Sequence, residues 1–301
     1  MGFTFSHIIN PYRADVGTTA HRIQQITLHS IHNAVAYCPS VSVQLLTEQF
    51  AEDAIMVPNA FVKTPHLEQS VLDAHTFSQP KKYAFIHDVL ERAYDASDAE
   101  FIIYTNMDII VQPIFYTALA AYLAEGLDAL VVNRRRIADT GQTEGDLPLI
   151  LAQIGRSHPG FDCFVIHRSL IPKMKLTDVC VGVPFVEATL VHNIIAFANN
   201  YRIVTDAHLT THLGLEVMPP RDAEYHSYNQ QCFNAILPQL KPLMVGKKLP
   251  YAYLTFVERT WKRALNPALF SGLSLELEGK NVLQKVQGYW NELRFYWLEK
   301  N

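Results

Sequence analysis

A short apolar run that stops at a carboxylate constrains this chain more than any other feature. Phe101 to Tyr104 is rich in β-favouring residues and has the character of a strand buried on both faces. The polar residues Asn106 and Asp108 follow it, two apart, and so point the same way. In open α/β sheets ligands bind beyond the carboxyl ends of the strands. Asp108 is therefore a candidate ligand for a divalent cation, and a simple turn or helix cap is the structural alternative.

The segments before this strand predict a parallel sheet. Residues 3–9 and 41–46 have the composition of strands, and residues 18–37 have the apolar spacing of an amphipathic helix. A strand, a helix and a strand in this order form a right-handed parallel unit by default. The residues that follow the two strands are Asn10, Pro11, Tyr12 and Glu48.

Two later polar segments carry candidate ligand-binding residues. Residues 128–132 predict a buried strand that runs into an Asn-Arg-Arg-Arg sequence, and arginines beyond a strand can hold phosphates by bidentate contact. A solvated basic turn is the alternative. After a predicted polar loop at 137–157, a tight turn is expected from His158 to Asp162. Such a turn can place both side chains against a ligand, although Asp and Gly also make turns without any such role.

An acid and a histidine complete the candidate residues. Glu187 opens a predicted helix, where a carboxylate in the first turn is favoured by the helix dipole. Its functional interpretation is a general base that accepts a proton from an attacking hydroxyl. A predicted strand at 201–205 leads to Asp206, His208 and His212, which share a face only in part in an extended segment. A structural role is the alternative for each histidine.

The composition excludes several classes of protein. With 301 residues and a formal net charge of −4, the chain lacks the basic excess typical of nucleic-acid binding. Its four cysteines show no CxxC spacing, so neither a zinc site nor a disulfide framework is expected. The sequence shows no signal-peptide pattern and no apolar run of about 20 residues, so we expect a cytoplasmic protein without a transmembrane segment. Aromatic residues at helical spacing in 281–298 predict packing on the main domain, with peripheral membrane contact as the alternative.

Taken in order, residues 3–215 resemble a glycosyltransferase of the GT-A fold, the nucleotide-sugar-dependent class, by pattern and order more than by one invariant string. In that family the first strand ends at residues that contact the nucleotide. An Asp-x-Asp triplet at the end of a central strand binds a divalent metal that carries the diphosphate. The matching triplet here begins with Asn106 instead of an acid and ends with Asp108 as the metal ligand. The resemblance further implies that Glu187 faces the acceptor and that His212 completes the metal site.

We therefore predict an α/β, GT-A-like fold with a mostly parallel central sheet flanked by helices at 1–220, and a mainly helical extension at 221–301 packed on it. The predicted activity is hexosyl transfer from a nucleotide-diphosphate sugar to an unidentified hydroxyl acceptor, assisted by Mn²⁺ or Mg²⁺. The predicted metal ligands are Asp108 and His212, and the predicted catalytic residues are Glu187, Asp162 and His158. The predicted donor contacts are Asn10, Pro11, Tyr12, Glu48, Lys82, Asn106, Arg134 and Arg135.

Two other functions fit parts of the pattern. A nucleotidyltransferase that makes a nucleotide sugar uses a similar sheet, but that class has a glycine-rich phosphate loop after the first strand, and residues 9–18 contain only Gly17. A nucleotide- or carbohydrate-binding protein of the same fold, without turnover, is the other alternative. It is suggested by Asn106, which stands where the family has an acid.

Overall fold

The computed structural model describes residues 2–204, 207–215, 222–244, 255, 257 and 258, and for Pro159 the backbone alone. The chain divides into two compact units, residues 1–244 and 245–301. The first unit extends past residue 220, where the sequence predicted a boundary. The aromatic segment 281–298 and Asp206 lie outside the described residues.

The described part of the first unit contains nine strands and seven α-helices. The strands are β1 (Thr4–Ile9), β2 (Ser42–Thr47), β3 (Val62–Lys63), β4 (Phe101–Thr105), β5 (Ile109–Val111), β6 (Ala129–Ile137), β7 (Arg156–His167), β8 (Tyr201–Val204) and β9 (Thr210–Leu213). The helices are α1 (Thr19–Tyr37), α2 (Val71–Ala74), α3 (Ile86–Ala96), α4 (Phe115–Leu123), α5 (Leu147–Ala152), α6 (Val186–Phe197) and α7 (Ala223–Leu240). Among these helices, none combines the length and apolar character that a membrane span requires.

The strands form one sheet in the order β3-β2-β1-β4-β7-β6-β9-β5, with β8 paired to β6. β1 to β4 run parallel, so their carboxyl ends meet at one edge of the sheet. β7 lies between β4 and β6 and is antiparallel to both, and β5 is antiparallel to β9. The predicted α/β class, with a mostly parallel sheet flanked by helices, is confirmed.

Helices α1 and α4 cover one face of the sheet. Phe5 and Ile9 of β1 point to this face and belong to one buried core cluster together with apolar residues of both helices. His7 lies between them in sequence and is fully buried, with its ring nitrogens 2.9 Å from the hydroxyls of Tyr116 and Thr105. Burial lowers the pKa of His7 to about 3. This histidine is therefore a neutral, hydrogen-bonded part of the core.

Two segments that carry candidate site residues differ from their predicted structure, and the loop predicted at 137–157 contains α5. β6 continues to Ile137, so Arg134 and Arg135 lie within a strand and not beyond one. β7 begins at Arg156 and includes His158 and Asp162, which were predicted to form a turn. Cross-strand pairing explains both differences, because β6 and β7 pair along this whole stretch with two register shifts that absorb the irregular residues. Pairing with a neighbouring strand outweighs the local turn preference of Pro, Gly and Asp.

Candidate active site

A cavity of about 1060 Å³ opens at the carboxyl edge of the parallel strands. Its wall combines the loop after β1, the turn after β2 and the end of β4 with parts of β6, β7, β9 and the start of α6. This is the position at which open α/β sheets bind ligands. The predicted site residues that line it are Asn10, Tyr12, Lys82, Asn106, Asp108, Arg134, Asp162, Glu187 and His212.

The pairing of β5 with β9 brings Asp108 and His212 together. Ile109 follows Asp108 and is the cross-strand partner of His212, and Asp108 Oδ2 lies 3.1 Å from His212 Nε2. Burial alone would raise the pKa of Asp108, but the hydrogen bond from His212 and the charges of His212 and Arg134 lower it. The other oxygen, Oδ1, is buried and has no hydrogen-bond partner among the described residues. Asp108 is therefore an ionised carboxylate with unused acceptor capacity.

The pairing of β4 with β7 joins Asn106 to Asp162. The Asn106 backbone N–H donates to the Asp162 carbonyl at 3.2 Å, and its side-chain Nδ2 donates to Asp162 Oδ1 at 2.7 Å. Arg134 on β6 donates to the second oxygen, Asp162 Oδ2, at 2.8 Å. Burial raises the pKa of Asp162, although the nearby Arg134 opposes that rise. Because both carboxylate oxygens are engaged, Asp162 is placed to hold its neighbours in position.

Arg134 faces three acids. Burial would lower the pKa of its guanidinium, but the negative charges of Asp162, Asp108 and Glu187 raise it. An arginine remains charged under all ordinary conditions. One guanidinium is thus shared by three carboxyl groups, and this part of the wall attracts further positive charge.

Glu187 is presented by a strained start of α6. Phe185, which precedes the first helical residue, has a φ of 87°, in the left-handed region that residues other than glycine rarely adopt. Glu187 Oε2 accepts a hydrogen bond from the Phe161 backbone N–H at 3.3 Å. Gly160 leaves room for this contact, because a Cβ there would lie 2.9 Å from Glu187 Oε2 and 2.8 Å from His158 Cε1. The backbones of β7 and α6 thus fix the position of this carboxylate.

The loop after β1 forms a further part of the wall. Asn10 Nδ2 donates to the Glu48 carbonyl at 3.0 Å, which ties the ends of β1 and β2 together. Tyr12 is 46% exposed and lines the cavity. Burial raises the pKa of Tyr12, and the charge of Asp108 raises it further, so the phenol lies within electrostatic range of that carboxylate. This loop and the Asp108 pair therefore belong to one site.

Three predicted donor contacts and the predicted catalytic residue His158 lie behind the wall or beside it. Pro11 is buried, and Glu48 is fully buried with its pKa raised well above the usual range by that burial. Arg135 donates from its Nε and NH2 groups to two backbone carbonyls at 154–155, each at 2.9 Å. His158 is buried, and its Nδ1 accepts from the backbone N–H two residues further on, at 2.8 Å. These positions suit roles in supporting the wall, and none of these four residues belongs to the proposed site.

Sequence reasoning missed part of this wall. Among the residues that it missed, Glu52, Asp53 and Tyr104 line the cavity, and Gly160 lies next to Glu187. Glu52 and Asp53 lie in a 3-10 helix, Ala51–Met56, that begins beyond the end of β2, so the strand-end rule did not select them. Glu52 Oε1 also holds the predicted donor contact Lys82, whose Nζ lies 2.6 Å away. The Tyr104 hydroxyl donates to Asn106 Oδ1 at 2.8 Å, two residues further along the chain. Gly160 leaves room for Glu187 of α6, a contact that no local pattern reveals.

Potential metal ligands also converge outside the cavity. Among the described residues, His87, Asp88 and Glu91 of α3 form a group of three whose ligand atoms lie within 4.8 Å of one another. Partly exposed groups of this kind are common without an ion, and this group is separate from the cavity wall. Asp108 and His212 offer two ligands, which suits a divalent ion that takes its remaining ligands from substrate phosphates and water.

No family model matches the chain, and no curated protein matches it. Among solved structures, S. aureus TarS in complex with UDP-GlcNAc is similar at a TM-score of 0.46 and 12% identity, over 97% of this chain and 80% of that one. TarS in complex with UDP gives 0.48 and 9%, over 98% and 89%. Glucosyl-3-phosphoglycerate synthase from Mycobacterium tuberculosis, in complex with Mn²⁺, UDP and phosphoglyceric acid, gives 0.43 and 15%, over 79% of each chain. At these identities and TM-scores the similarity assigns no activity, ligand or partner to this chain.

Proposed function

We propose that this chain transfers a sugar from a nucleoside-diphosphate donor to a hydroxyl acceptor. The observation that carries this proposal is the convergence of Asp108, His212, Arg134 and Glu187 on one cavity at the strand-end edge of the sheet. The reaction needs positive charge near the departing diphosphate and a carboxylate for the acceptor proton. The cavity offers both, in a volume that suits a ligand of nucleotide-sugar size.

A divalent cation fits this site. Asp108 and His212 would hold it, since one carboxylate oxygen is buried without a hydrogen-bond partner among the described residues and the histidine nitrogen lies beside the other. A buried oxygen of this kind calls for a compensating charge. The bound ion would neutralise charge that develops on the diphosphate as it leaves.

The donor would lie between the loop after β1 and the pair formed by Asp108 and His212. Tyr12 offers a partly exposed ring on which a nucleobase can stack. Arg134 lies on the same wall as Asp108 and would face the phosphates, because a guanidinium binds oxyanions in a fixed geometry.

Glu187 would serve as the base in a transfer that inverts the anomeric carbon. Its carboxylate accepts the acceptor's hydroxyl proton as the acceptor oxygen bonds to that carbon. The bond from the carbon to the diphosphate oxygen breaks at the same time, and its electron pair leaves with the diphosphate. The contact with the Phe161 N–H orients the base without protonating it.

The first test is a thermal-shift screen against UDP, ADP and GDP, each with and without Mn²⁺. A ligand present at a hundredfold excess over its Kd stabilises the native state by about 2.7 kcal/mol. We expect a metal-dependent shift with one diphosphate, and we expect Asp108→Ala to abolish the metal-dependent part. Asp139→Ala is the matched control, since it removes a carboxylate of the same wall that is paired with Arg22. No shift with any diphosphate would rule the proposal out.

The second test concerns Glu187. Replacement by Gln should lower the rate of sugar transfer by about 10² to 10⁴, the range typical of a general base, while the donor-induced thermal shift is kept. Glu52→Gln controls for the loss of a carboxylate elsewhere in the cavity. Donor binding by the wild-type chain without transfer to any acceptor would instead favour a nucleotide- or carbohydrate-binding protein.

A further inference from the structure

Gln24 makes an unusual pair of contacts with the loop after β1. It is a buried residue of α1, 1% exposed, and its side chain reaches the wall of the cavity. The Tyr12 backbone N–H donates to Gln24 Oε1 at 3.1 Å, and Gln24 Nε2 donates to the Tyr12 carbonyl at 3.0 Å. A carboxamide carries a donor and an acceptor side by side, so it satisfies both backbone groups of one residue as a neighbouring strand would.

The same loop is held at two further points. The Arg13 backbone N–H donates to Asp53 Oδ1 at 2.7 Å, and Asn10 is tied to the end of β2 by its side-chain amide. Residues 10–13 belong to no helix or strand, so these side-chain contacts replace the regular hydrogen bonding that ends with β1. The backbone on both sides of the Tyr12 peptide groups is therefore fixed before any ligand arrives.

We propose that Gln24 is a positioning residue for the nucleobase. By holding the Tyr12 backbone, it keeps the half-exposed Tyr12 ring at the cavity wall as a ready-made stacking surface. This inference rests on the proposed function, because the ring has a base to stack on only if the donor is a nucleotide. Pre-ordering the loop improves affinity, because its conformational entropy is already lost on folding and no further loss accompanies ligand binding.

The experiment compares Gln24→Met with Gln25→Met. Gln25 is the next residue of α1 and is only partly buried, so its replacement controls for a glutamine lost from the same turn. Hydrogen exchange of the ligand-free protein over residues 10–14 should be about fivefold faster in Gln24→Met and unchanged in Gln25→Met, because one net hydrogen bond protects the Tyr12 amide. Gln24→Glu, which keeps the acceptor and loses the donor, should give an intermediate rate.

Binding then separates positioning from general damage. For the diphosphate that binds the wild-type chain with Mn²⁺, Kd should rise about tenfold in Gln24→Met, while the Kd of inorganic pyrophosphate with Mn²⁺ stays within about twofold. Equal weakening of both probes would overturn the base-positioning role, and unchanged exchange over residues 10–14 would overturn the contact itself. If the wild-type chain binds no nucleoside diphosphate, the proposed function and this base-positioning role fail together. Failure of the inference alone is recognised by wild-type binding with no difference between the two methionine variants.

Discussion

The two ends of the cavity are held by different kinds of contact. At one end Arg134 and Asp162 form a buried ion pair, with Asn106 completing the contacts of the carboxylate. At the other end the neutral side chain of Gln24 fixes the backbone of Tyr12. A buried charge is costly once its partner is removed, whereas a neutral amide can be replaced at the cost of about one net hydrogen bond or two. The charged end should therefore be the more sensitive to mutation and to pH.

Removing the guanidinium should have the largest effect. Arg134→Met leaves Asp162 buried without its cation, and we expect the free energy of unfolding to fall by about 3–5 kcal/mol. Urea denaturation at pH 7 measures this loss. Arg135→Met is the control, because among the described residues its guanidinium donates to two backbone carbonyls and to no carboxylate, and it should cost about 1 kcal/mol or less. Similar losses in the two variants would show that the ion pair is no more important than an ordinary hydrogen bond.

Exchanging the amide and the acid should have a smaller, partly reversible effect. Asn106→Asp sets two carboxyl groups against each other where Nδ2 now donates at 2.7 Å, and we expect a loss of about 2 kcal/mol. Adding Asp162→Asn restores a donor opposite an acceptor. In a double-mutant cycle, the double variant should then lose about 1–2 kcal/mol less stability than the sum of the losses in the two single variants. If the stability losses of the two single variants add within about 0.5 kcal/mol, the two side chains are not coupled. Their contact would then not explain why position 106 carries the amide and position 162 the acid.

The strand-end rule explains which parts of this site the sequence could predict. Asn10, Tyr12, Asn106 and Asp108 each follow an apolar strand, and all four line the cavity. A buried strand is visible as a local apolar run, and the carboxyl ends of parallel strands face one edge whatever their order in the sheet. Local sequence was therefore enough for these residues.

The charged end depends on register, which is not local. Asp162 reaches Asn106 because β7 lies between β4 and β6. His212 reaches Asp108 because His212 pairs across the strands with Ile109, the residue after Asp108. The sequence around Asp162 favours a turn, and only the neighbouring strands draw it into a ladder. The family resemblance suggested His212, but local sequence did not explain how it meets Asp108. Residues that meet across antiparallel pairs are the ones that local patterns miss.

The smallest effect expected at the charged end is a difference in pH dependence. Burial raises the pKa of Asp162, so the folded state binds its proton more tightly than the unfolded chain does. This group then lowers stability progressively as pH rises above about 4, the ordinary carboxyl value. The unfolding free energy of the wild type minus that of Asp162→Asn should therefore decrease with rising pH. The slope cannot exceed about 1.4 kcal/mol per pH unit, because one proton is involved.

Asp146→Asn provides a control of opposite sign for that slope. The Thr143 backbone N–H donates to Asp146 Oδ2 at 2.9 Å and lowers the pKa of this exposed carboxyl. Its contribution to stability is therefore present above the ordinary carboxyl pKa and is lost as pH falls through the lower pKa of the folded state. The unfolding free energy of the wild type minus that of Asp146→Asn should therefore increase with rising pH. Urea denaturation between pH 3.5 and 7 measures both differences. Slopes of the same sign would mean that Arg134 lowers the pKa of Asp162 by more than burial raises it. Ionisation of Asp162 would then stabilise the charged end, as ionisation of the exposed Asp146 stabilises its own turn.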